Sequence, residues 1–221
     1  MQDLMKQEQF EIEALDRLNS KKLLDSLVFG GGTMLRLCYG LNRFSVDLDF
    51  WVVKKIKFDK LFSSVRECLS GQYVINDCAN KFYTLLFEIK SKDYPRSLKI
   101  EIRKEPKKIT TEKVIAYSKY SNVQVFINTV SLKDVVEAKI EAFLNRKEIR
   151  DVFDLEFLIK KGISLPEDRG KLEKVLKNMS TLGKKDFTIK LGSLLESAER
   201  KYYNSENFKI LQQAIQDKIA D

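Results

Sequence analysis

Residues 29–50, FGGGTMLRLCYGLNRFSVDLDF, contain the pattern that decides the fold of this chain. Three adjacent glycines and a threonine come first, followed by a short apolar segment that is predicted to be helical. After a turn, residues 46–53 alternate between apolar and other side chains, with Asp47 and Asp49 on the same side of the alternation. Side chains two residues apart on a strand point to the same face. The pattern therefore predicts a strand that turns both carboxylates toward one site and its apolar side chains toward a core.

The glycine turn predicts a phosphate-binding loop. Glycine lets the backbone approach a ligand closely, and the first N–H groups of a helix attract anions. We therefore expect Gly31, Gly32 and Thr33 to bind the phosphates of a nucleotide through main-chain N–H groups and the threonine hydroxyl. An ordinary helix N-cap after a tight turn is the alternative, and the same residues satisfy it.

The paired aspartates predict a metal site. Two carboxylates about 4 Å apart would repel each other by roughly 4 kcal/mol at an effective dielectric constant of about 20, so a site that keeps both ionised favours a cation between them. Oxygen ligands without histidine or thiolate select Mg²⁺ or Mn²⁺ over zinc. The alternative interpretation of Asp47 and Asp49 is a pair of solvated acids on an exposed strand.

The composition excludes several classes of enzyme. The 221 residues include no histidine, which rules out Ser-His and Cys-His nucleophile pairs, histidine general bases and imidazole zinc sites. The net charge of +8 favours polyanionic partners, although lysine-rich surfaces also serve solubility. No apolar run is long enough to span a membrane, and the mixed charges of the N-terminus do not form a signal peptide. We therefore expect a cytoplasmic protein whose three cysteines are buried free thiols.

Two halves with different periodicity divide the chain. Residues 1–130 mix predicted strands and helices, whereas residues 131–221 show only the helical period. Among the strands, LKIEIR at residues 98–103 alternates again and places Glu101 on the polar face. We therefore predict an α+β fold with two domains, 1–130 and 131–221. An apolar content of 43% is enough to give one or two modest domains a core.

The succession of GGT, RFS and DLDF resembles the AbiEii/AbiGii toxins, which are minimal nucleotidyltransferases of the DNA polymerase β-like superfamily. The resemblance implies a nucleotidyltransferase-type mixed β-sheet flanked by helices in the first domain and a helical bundle that closes the active-site cleft in the second. It also implies that Gly32-Thr33 is the phosphate-binding pair and that Asp47 and Asp49 are metal ligands. Glu101 matches the position of a third acid and metal ligand, where the polymerase-like enzymes more often have aspartate. The alternative interpretation of Glu101 is an exposed glutamate on a strand, between two basic residues.

Two further motifs support the resemblance. Arg43 and Ser45 belong to the RFS segment and are expected to contact the nucleotide, unless Arg43 instead braces the turn by bonding to a carboxylate. In the second half, EAKIEAFLNRKEIRDVFDLEFLI is similar to the family's lysine followed by R-D-x-x-D, and the matching residues are Lys139, Arg146, Arg150, Asp151 and Asp154. The resemblance implies that Lys139 contacts the triphosphate and that Asp151 either orders this lysine or deprotonates the acceptor. A surface ladder of salt bridges is the alternative interpretation.

Together these observations predict a Mg²⁺-dependent nucleotidyltransferase that transfers a nucleotide from a nucleoside triphosphate to an acceptor hydroxyl. The residues predicted to take part in catalysis are Asp47, Asp49, Glu101, Lys139 and Asp151. The resemblance implies an acceptor in RNA, at the 3′ end of a tRNA, and also a toxin's role and a separately encoded antitoxin. Two alternatives stay open. One is transfer of a nucleotide or phosphate to a protein such as the antitoxin, and the other is a nucleotide- or RNA-binding module without catalysis.

Overall fold

A computed structural model describes residues 1–53 and 55–220 of the chain. They group into two compact units. The first unit comprises Met1–Gly40 and Phe44–Ser131, and the second comprises Leu41–Arg43 and Leu132–Asp221. None of the helices in the described ranges is both long enough and apolar enough to cross a membrane.

The first unit is a mixed seven-stranded sheet with helices packed on it. Its elements in chain order are α1 (Gln2–Ser20), a 3₁₀ helix (Leu23–Ser26), β1 (Val28–Gly30), α2 (Gly31–Tyr39), β2 (Asp47–Val52), α3 (Phe58–Ser70), β3 (Val74–Asn80), β4 (Thr84–Lys90), β5 (Leu98–Pro106), β6 (Thr111–Tyr117) and β7 (Gln124–Val130). The strands are ordered β3-β4-β5-β2-β1-β7-β6. β2 pairs in parallel with β5, and β1 with β7, whereas the other neighbouring strands are antiparallel.

The alternation in β2 separates a core face from a polar face, as the sequence predicts. Leu48, Phe50 and Val52 are fully buried, whereas Asp47 and Asp49 are partly exposed. The ring of Phe50 packs against that of Phe29 from β1, with 5.3 Å between the ring centroids. Burial of these side chains stabilises the centre of the sheet by roughly 1.5–3 kcal/mol for each residue.

Helix α2 ends at a glycine. Gly40 follows the last helical residue with φ +79°, in the left-handed region that glycine adopts without strain. Its N–H group donates to the carbonyl oxygens of Leu35 and Arg36, which satisfies main-chain acceptors at the end of the helix.

Two features of the sheet differ from the prediction. β5 continues to Pro106, beyond the alternation at residues 98–103 that predicted it, and β6 is a strand that the sequence pattern did not indicate. β6 lies at the edge of the sheet, and Ala116 is its one fully buried residue among mostly exposed neighbours. An edge strand of this kind buries too few side chains to show a clear alternation in the sequence.

The three cysteines are free thiols, as predicted, but only Cys68 is buried. Cys38 and Cys78 are partly exposed. Burial of its sulfur raises the pKa of the Cys38 thiol to about 12, which disfavours a reactive thiolate.

The second unit is a bundle of helices. They are α4 (Leu132–Arg146), α5 (Ile149–Lys160), α6 (Arg169–Met179), a π-helical segment (Asp186–Leu191), a 3₁₀ turn (Gly192–Leu194), α7 (Ser197–Glu206) and α8 (Lys209–Ala220). Lys147, with φ +53°, separates α4 from α5. A mixed sheet flanked by helices and followed by a helical bundle confirms the predicted fold class. The division into separate domains at residue 130 stays a prediction.

Candidate active site

The glycine turn holds a carboxylate at the start of α2. Gly30 is the N-cap residue, and Gly31 has φ +76°. A Cβ atom at Gly31 would lie 2.5 Å from Oδ2 of Asp49, so the carboxylate packs directly against the glycine backbone. A negative charge beside a helix N-terminus is favourable because the helix dipole is positive there. Conformation and space therefore both require glycine at position 31.

Thr33 links α2 to β2. Its side chain is fully buried, and its hydroxyl donates a hydrogen bond to the carbonyl oxygen of Asp47 at 2.6 Å. The helix has no side-chain N-cap bond, so Thr33 is not the capping residue that one alternative predicted. The predicted contact between this hydroxyl and phosphate stays a prediction, and the hydroxyl proton is donated to the strand that carries the two aspartates.

Three acids share one face of the sheet. In the parallel pairing of β2 with β5, Asp49 lies opposite Glu101 and Asp47 lies opposite Lys99. Paired residues on neighbouring strands, about 4.8 Å apart, point to the same side of a sheet. Glu101 therefore lies on the side of Asp47 and Asp49, where the alternation predicted it. Ile100 and Ile102 alternate with it and point into the core.

Lys99 stands among these acids. Its ammonium group forms an ion pair with the Glu101 carboxylate. The hydrogen bond with Glu101 raises the pKa of Lys99, and the charges of Glu101, Asp47 and Asp49 act in the same direction against a smaller effect of burial. The acid face therefore carries a cation bonded to one of its acids, whereas the sequence pattern shows Lys99 only as a residue flanking Glu101.

The donor set fits a magnesium ion held by two carboxylates. Within the described ranges, no three Asp, Glu, Cys or His residues lie close enough together to hold an ion. Mg²⁺, however, is commonly bound by one or two carboxylates together with waters and substrate phosphates. Asp47 and Asp49 supply such a pair, whereas the carboxylate of Glu101 is engaged by Lys99. A role for Glu101 as third ligand stays a prediction.

Helix α1 contributes buried polar residues that were not among the predicted site residues. Glu8 forms an ion pair with Arg36 of α2 and accepts a hydrogen bond of 2.6 Å from the Ser118 hydroxyl. Gln7 donates from Nε2 to the carbonyl oxygens of Val46 and Ser97, at 3.4 and 3.3 Å. These bonds join α1 to the segment that enters β2.

Glu11, on the same face of α1, differs from Glu8 and Gln7 because its carboxylate has no hydrogen-bond partner. It is fully buried, and neither of its carboxylate oxygens has a hydrogen-bond partner. Burial raises its pKa well above the ordinary value; the negative charges of Glu8 and Asp47 add to this shift, and Arg36 opposes it. The signal was present in the sequence, because Glu8 and Glu11 continue the apolar helical stripe of Leu4, Leu15 and Leu18.

A second polar cluster lies in the helical unit and is centred on Asp154. This aspartate is fully buried and accepts two hydrogen bonds of 2.7 Å from Nε and Nη2 of Arg43. Nζ of Lys139 lies 2.5 Å from Oδ2 of Asp154, the same oxygen that accepts from Nη2 of Arg43. Burial alone would raise the pKa of Asp154, but the charges of Arg43 and Lys139 and their hydrogen bonds hold it below the ordinary value. Of the two alternatives for Arg43, the structure shows the bond to a carboxylate.

Asp151 extends this cluster through Lys139. It is fully buried, accepts bonds of 2.7 and 2.6 Å from Arg146, and lies 3.2 Å from Nζ of Lys139. The alternative of a surface salt-bridge ladder is wrong, because both aspartates and Lys139 are buried. This contact with Lys139 is compatible with the predicted role of Asp151 in ordering the lysine, and both of its predicted roles stay predictions. Arg43, Lys139 and Arg146 are thus the cations seen to pair with these two carboxylates.

The predicted site residues thus form two sets. Gly31, Gly32, Thr33, Ser45, Asp47, Asp49 and Glu101 belong to the first unit, and Arg43, Lys139 and Asp151 belong to the second. Ser45 is partly exposed between Arg43 and the start of β2, and Arg150 is partly exposed in α5.

A mixed sheet that presents paired aspartates beside a glycine turn is the arrangement of a nucleotidyltransferase. The chain belongs to the family of nucleotidyltransferase AbiEii toxins of type IV toxin–antitoxin systems, whose profile matches residues 13–218. No curated protein matches the sequence.

Two crystal structures show the same fold. One is a protein of H. pylori proposed to be a nucleotidyltransferase, with 24% identity, a TM-score of 0.58 and coverage of 96% of both chains. The other is JHP933 from Helicobacter pylori, with 23% identity, a TM-score of 0.52 and coverage of 93% of this chain and 94% of that one. At these identities the likeness is one of fold.

Proposed function

We propose that this protein transfers a nucleotide from a nucleoside triphosphate to an acceptor hydroxyl in RNA, at the 3′ end of a tRNA, in a reaction that requires Mg²⁺ or Mn²⁺. The observation that carries the proposal is the shared face of Asp47, Asp49 and Glu101 beside Gly31. Membership of the AbiEii family supports nucleotidyl transfer and a toxin's role.

The residues of the first unit have distinct tasks in this proposal. Asp47 and Asp49 hold the ion, which when bound supplies positive charge to the triphosphate oxygens. The turn at Gly31 and Gly32 binds phosphate through main-chain N–H groups at the start of α2. Glu101 is the third acid of the site, and its pairing with Lys99 keeps a cation beside the two aspartates.

The residues of the second unit act on the leaving phosphates. We assign Lys139 to the negative charge that develops on pyrophosphate, where a fixed cation stabilises the transition state. Asp151 and Asp154 position this lysine, and Arg43 acts through Asp154. Ser45 is assigned to binding of the nucleotide.

The biological setting follows from the family and is part of the proposal. We propose that the protein works in the cytoplasm and that a separately encoded antitoxin counteracts it. Transfer to a protein such as this antitoxin, or binding without catalysis, are the competing functions that the experiment separates.

The decisive experiment combines the protein with each labelled nucleoside triphosphate, Mg²⁺ and total RNA, and then separates RNA from protein. Asp49→Asn should lower incorporation into RNA by at least about 100-fold, because the ion loses a charged ligand beside the reacting phosphates. Chelation of Mg²⁺ should abolish it. Asp77→Asn, a change at an exposed aspartate on the edge strand β3, is the matched control and should leave incorporation unchanged.

The position of the label decides between the functions. Label in protein instead of RNA would support the alternative acceptor, and binding without incorporation would support the non-catalytic module. Full activity of the Asp49→Asn variant would refute the metal site itself.

A further inference from the structure

The turn between β3 and β4 breaks the usual rules of turn composition. Asn80 pairs with Leu85 at the ends of the two strands, and Phe82 and Tyr83 form the tip between them. Tight hairpin turns favour glycine, asparagine and aspartate. Here the two side chains are large aromatic rings that are 83% and 73% exposed. Residues that break a local rule without a gain in packing point to function.

The two rings are held in a defined arrangement. Their centroids lie 4.5 Å apart with an interplanar angle of 83°, so one ring packs its edge against the face of the other. The main chain fixes the tip on both sides: Lys81 donates to Thr84 at 2.9 Å, and Lys104 of β5 donates to Tyr83 at 2.9 Å. The side chain of Lys104 also donates to the carbonyl oxygen of Lys81 and to Asn80. The rings therefore stand on a turn that is already ordered before any ligand binds.

Cations surround this aromatic pair. Lys81 is the residue before it, and Lys104 is bonded to its main chain. Arg103 is exposed and lies opposite Thr84 on the neighbouring strand. The nearby acids are Glu105 in β5 and Asp59, which accepts a hydrogen bond of 2.7 Å from Asn80. Three cations therefore lie beside two acids, and positive charge still predominates around the tip.

The tip lies close to the acid face along the sheet. Glu101 pairs with Leu86, and Arg103 with Thr84, so the tip is reached by following β5 beyond Glu101. Lys104, which bonds to Tyr83, is three residues past Glu101, or about 10 Å at the rise of a strand. Arg103 lies between them on the side of the sheet that carries the acids.

We propose that Phe82 and Tyr83 form a stacking platform for unpaired bases of a single-stranded RNA, and that Lys81 and Arg103 bind its phosphates. The inference rests on the proposed function, for which it names the surface that receives the acceptor strand. Exposed aromatic rings among cations are the means by which proteins bind single strands, because every base has a face that stacks and every linkage carries a charge.

A protein partner fits this surface less well. Two rings at one turn offer much less than the roughly 800 Å² that each side of a stable protein interface buries. The surrounding lysines are also the residues that such interfaces tend to exclude from their centres. Complementarity of charge to a phosphate chain therefore selects RNA as the occupant.

Binding of a fluorescently labelled single-stranded oligoribonucleotide, followed by anisotropy, tests the platform. Loss of one ring should weaken binding about 10-fold, and the double variant Phe82→Ala/Tyr83→Ala should weaken it further. The double variant Phe82→Trp/Tyr83→Trp should bind as well as the unchanged protein. An oligonucleotide without bases should bind weakly and equally to all of these, because it has nothing to stack. Lys81→Gln should lower the salt slope of binding by about 0.7, the contribution of one phosphate contact to a single strand.

Phe126→Ala is the matched control. Phe126 is also an exposed aromatic residue, 59% accessible, with Lys113 at 5.7 Å from its ring centroid, but it lies in β7 on the opposite side of β2 in the strand order. Its removal should leave RNA binding unchanged. Because Phe82, Tyr83 and Phe126 are all exposed, thermal unfolding of their variants should match that of the unchanged protein.

Several outcomes overturn the inference. The inference is wrong if the Phe82→Ala/Tyr83→Ala variant binds single-stranded RNA as tightly as the unchanged protein. It is also wrong if this variant loses as much affinity for blunt duplex RNA as for a single strand, or if the Phe126→Ala control loses as much affinity for the single strand. Unchanged RNA binding together with weaker binding to vesicles of anionic phospholipid would assign the tip to a membrane surface. Unchanged RNA binding with lost capture of a purified antitoxin would assign it to a protein.

Failure of the platform can be separated from failure of the proposed function. If the protein transfers nucleotides, the double alanine variant should raise the KM for RNA about 10-fold or more and leave the KM for the triphosphate unchanged. Active transfer with an unchanged KM for RNA refutes the platform alone. Strong ring-dependent RNA binding without transfer in the unchanged protein refutes the proposed reaction and leaves the binding surface in place.

Discussion

At the scale of single residues, Gly31 determines how closely the turn approaches Asp49. We expect Gly31→Ala to cost roughly 1–2 kcal/mol for the left-handed backbone, with a further cost because the new methyl group would lie 2.5 Å from the carboxylate. A carboxylate displaced by about 1 Å should lower nucleotide transfer about 100-fold. Urea unfolding and incorporation into RNA measure the two effects.

Gly40→Ala provides the control for this change. Gly40 has nearly the same backbone angle, φ +79°, but no atom lies within 4 Å of the position of its missing Cβ. Its replacement should show the backbone cost alone and retain activity. Equal activity of the two variants would mean that the contact with Asp49 does not matter for transfer.

The charge of Asp154 is important for the stability of the helical unit, because two cations pair with it. We expect Asp154→Asn to lower the free energy of unfolding by about 3–5 kcal/mol, because Arg43 and Lys139 would lose their common carboxylate while buried. Asp217→Asn, at an exposed aspartate that accepts a bond from Gln213, should change it little. Urea unfolding of both variants tests this difference, and similar values would show that the buried cluster contributes no more than a surface pair.

At the scale of elements, helix α1 carries a pH dependence through Glu11. The folded state binds the proton of this carboxyl more tightly than the unfolded chain does, because burial raises its pKa. Its contribution to stability is therefore fully present below the unfolded pKa of about 4.3 and is lost as the pH rises through the folded pKa. We expect Glu11→Gln, which cannot ionise, to lose less stability between about pH 5 and pH 8 than the unchanged protein does.

Urea unfolding across this pH range measures the difference in slope. Asp16→Asn is the control on the same helix, since Asp16 is exposed, and it should keep the slope of the unchanged protein. If the Glu11→Gln variant has that slope too, Glu11 does not supply the pH dependence.

At the scale of the whole molecule, the chain order and the compact units do not coincide. Leu41–Arg43 belongs with the helical unit, where the main chain of Arg43 forms a bridge to Leu195 and its side chain binds Asp154. A cut at residue 130 would separate this arginine from its carboxylate. The predicted domains, 1–130 and 131–221, would therefore place the two partners of this ion pair in different domains.

We expect Arg43→Leu to raise amide hydrogen exchange in α5, which holds Asp154, and not in β3 or β4, although Arg43 is much nearer to those strands in sequence. The reason is that Asp154 loses its bidentate partner while it stays buried. Exchange followed by mass spectrometry locates the change.

Arg36→Leu is the matched variant, because Arg36 pairs with Glu8 of α1. It should raise exchange in α1 and leave α5 unaffected. The same exchange pattern in both variants would mean that the two arginines do not stabilise separate units.

The sequence alone determined the features that depend on neighbours in the chain. The alternation of β2 and β5, the glycine turn, the end of α2 at Gly40 and the change to helical periodicity after residue 130 all follow from backbone preferences and local patterns of burial. The family likewise followed from motifs within short distances of one another.

Only the tertiary structure decided which side chains meet across long distances in sequence. The partner of Arg43, the burial of Glu8 and Glu11, the link from Thr33 to Asp47, the edge strand β6 and the exposed aromatic tip of the β3–β4 hairpin depend on what packs opposite each residue. A carboxylate has the same local pattern whether it faces water, an arginine or another acid. Its energy, and therefore its role, is set by the desolvation and the partners that folding imposes.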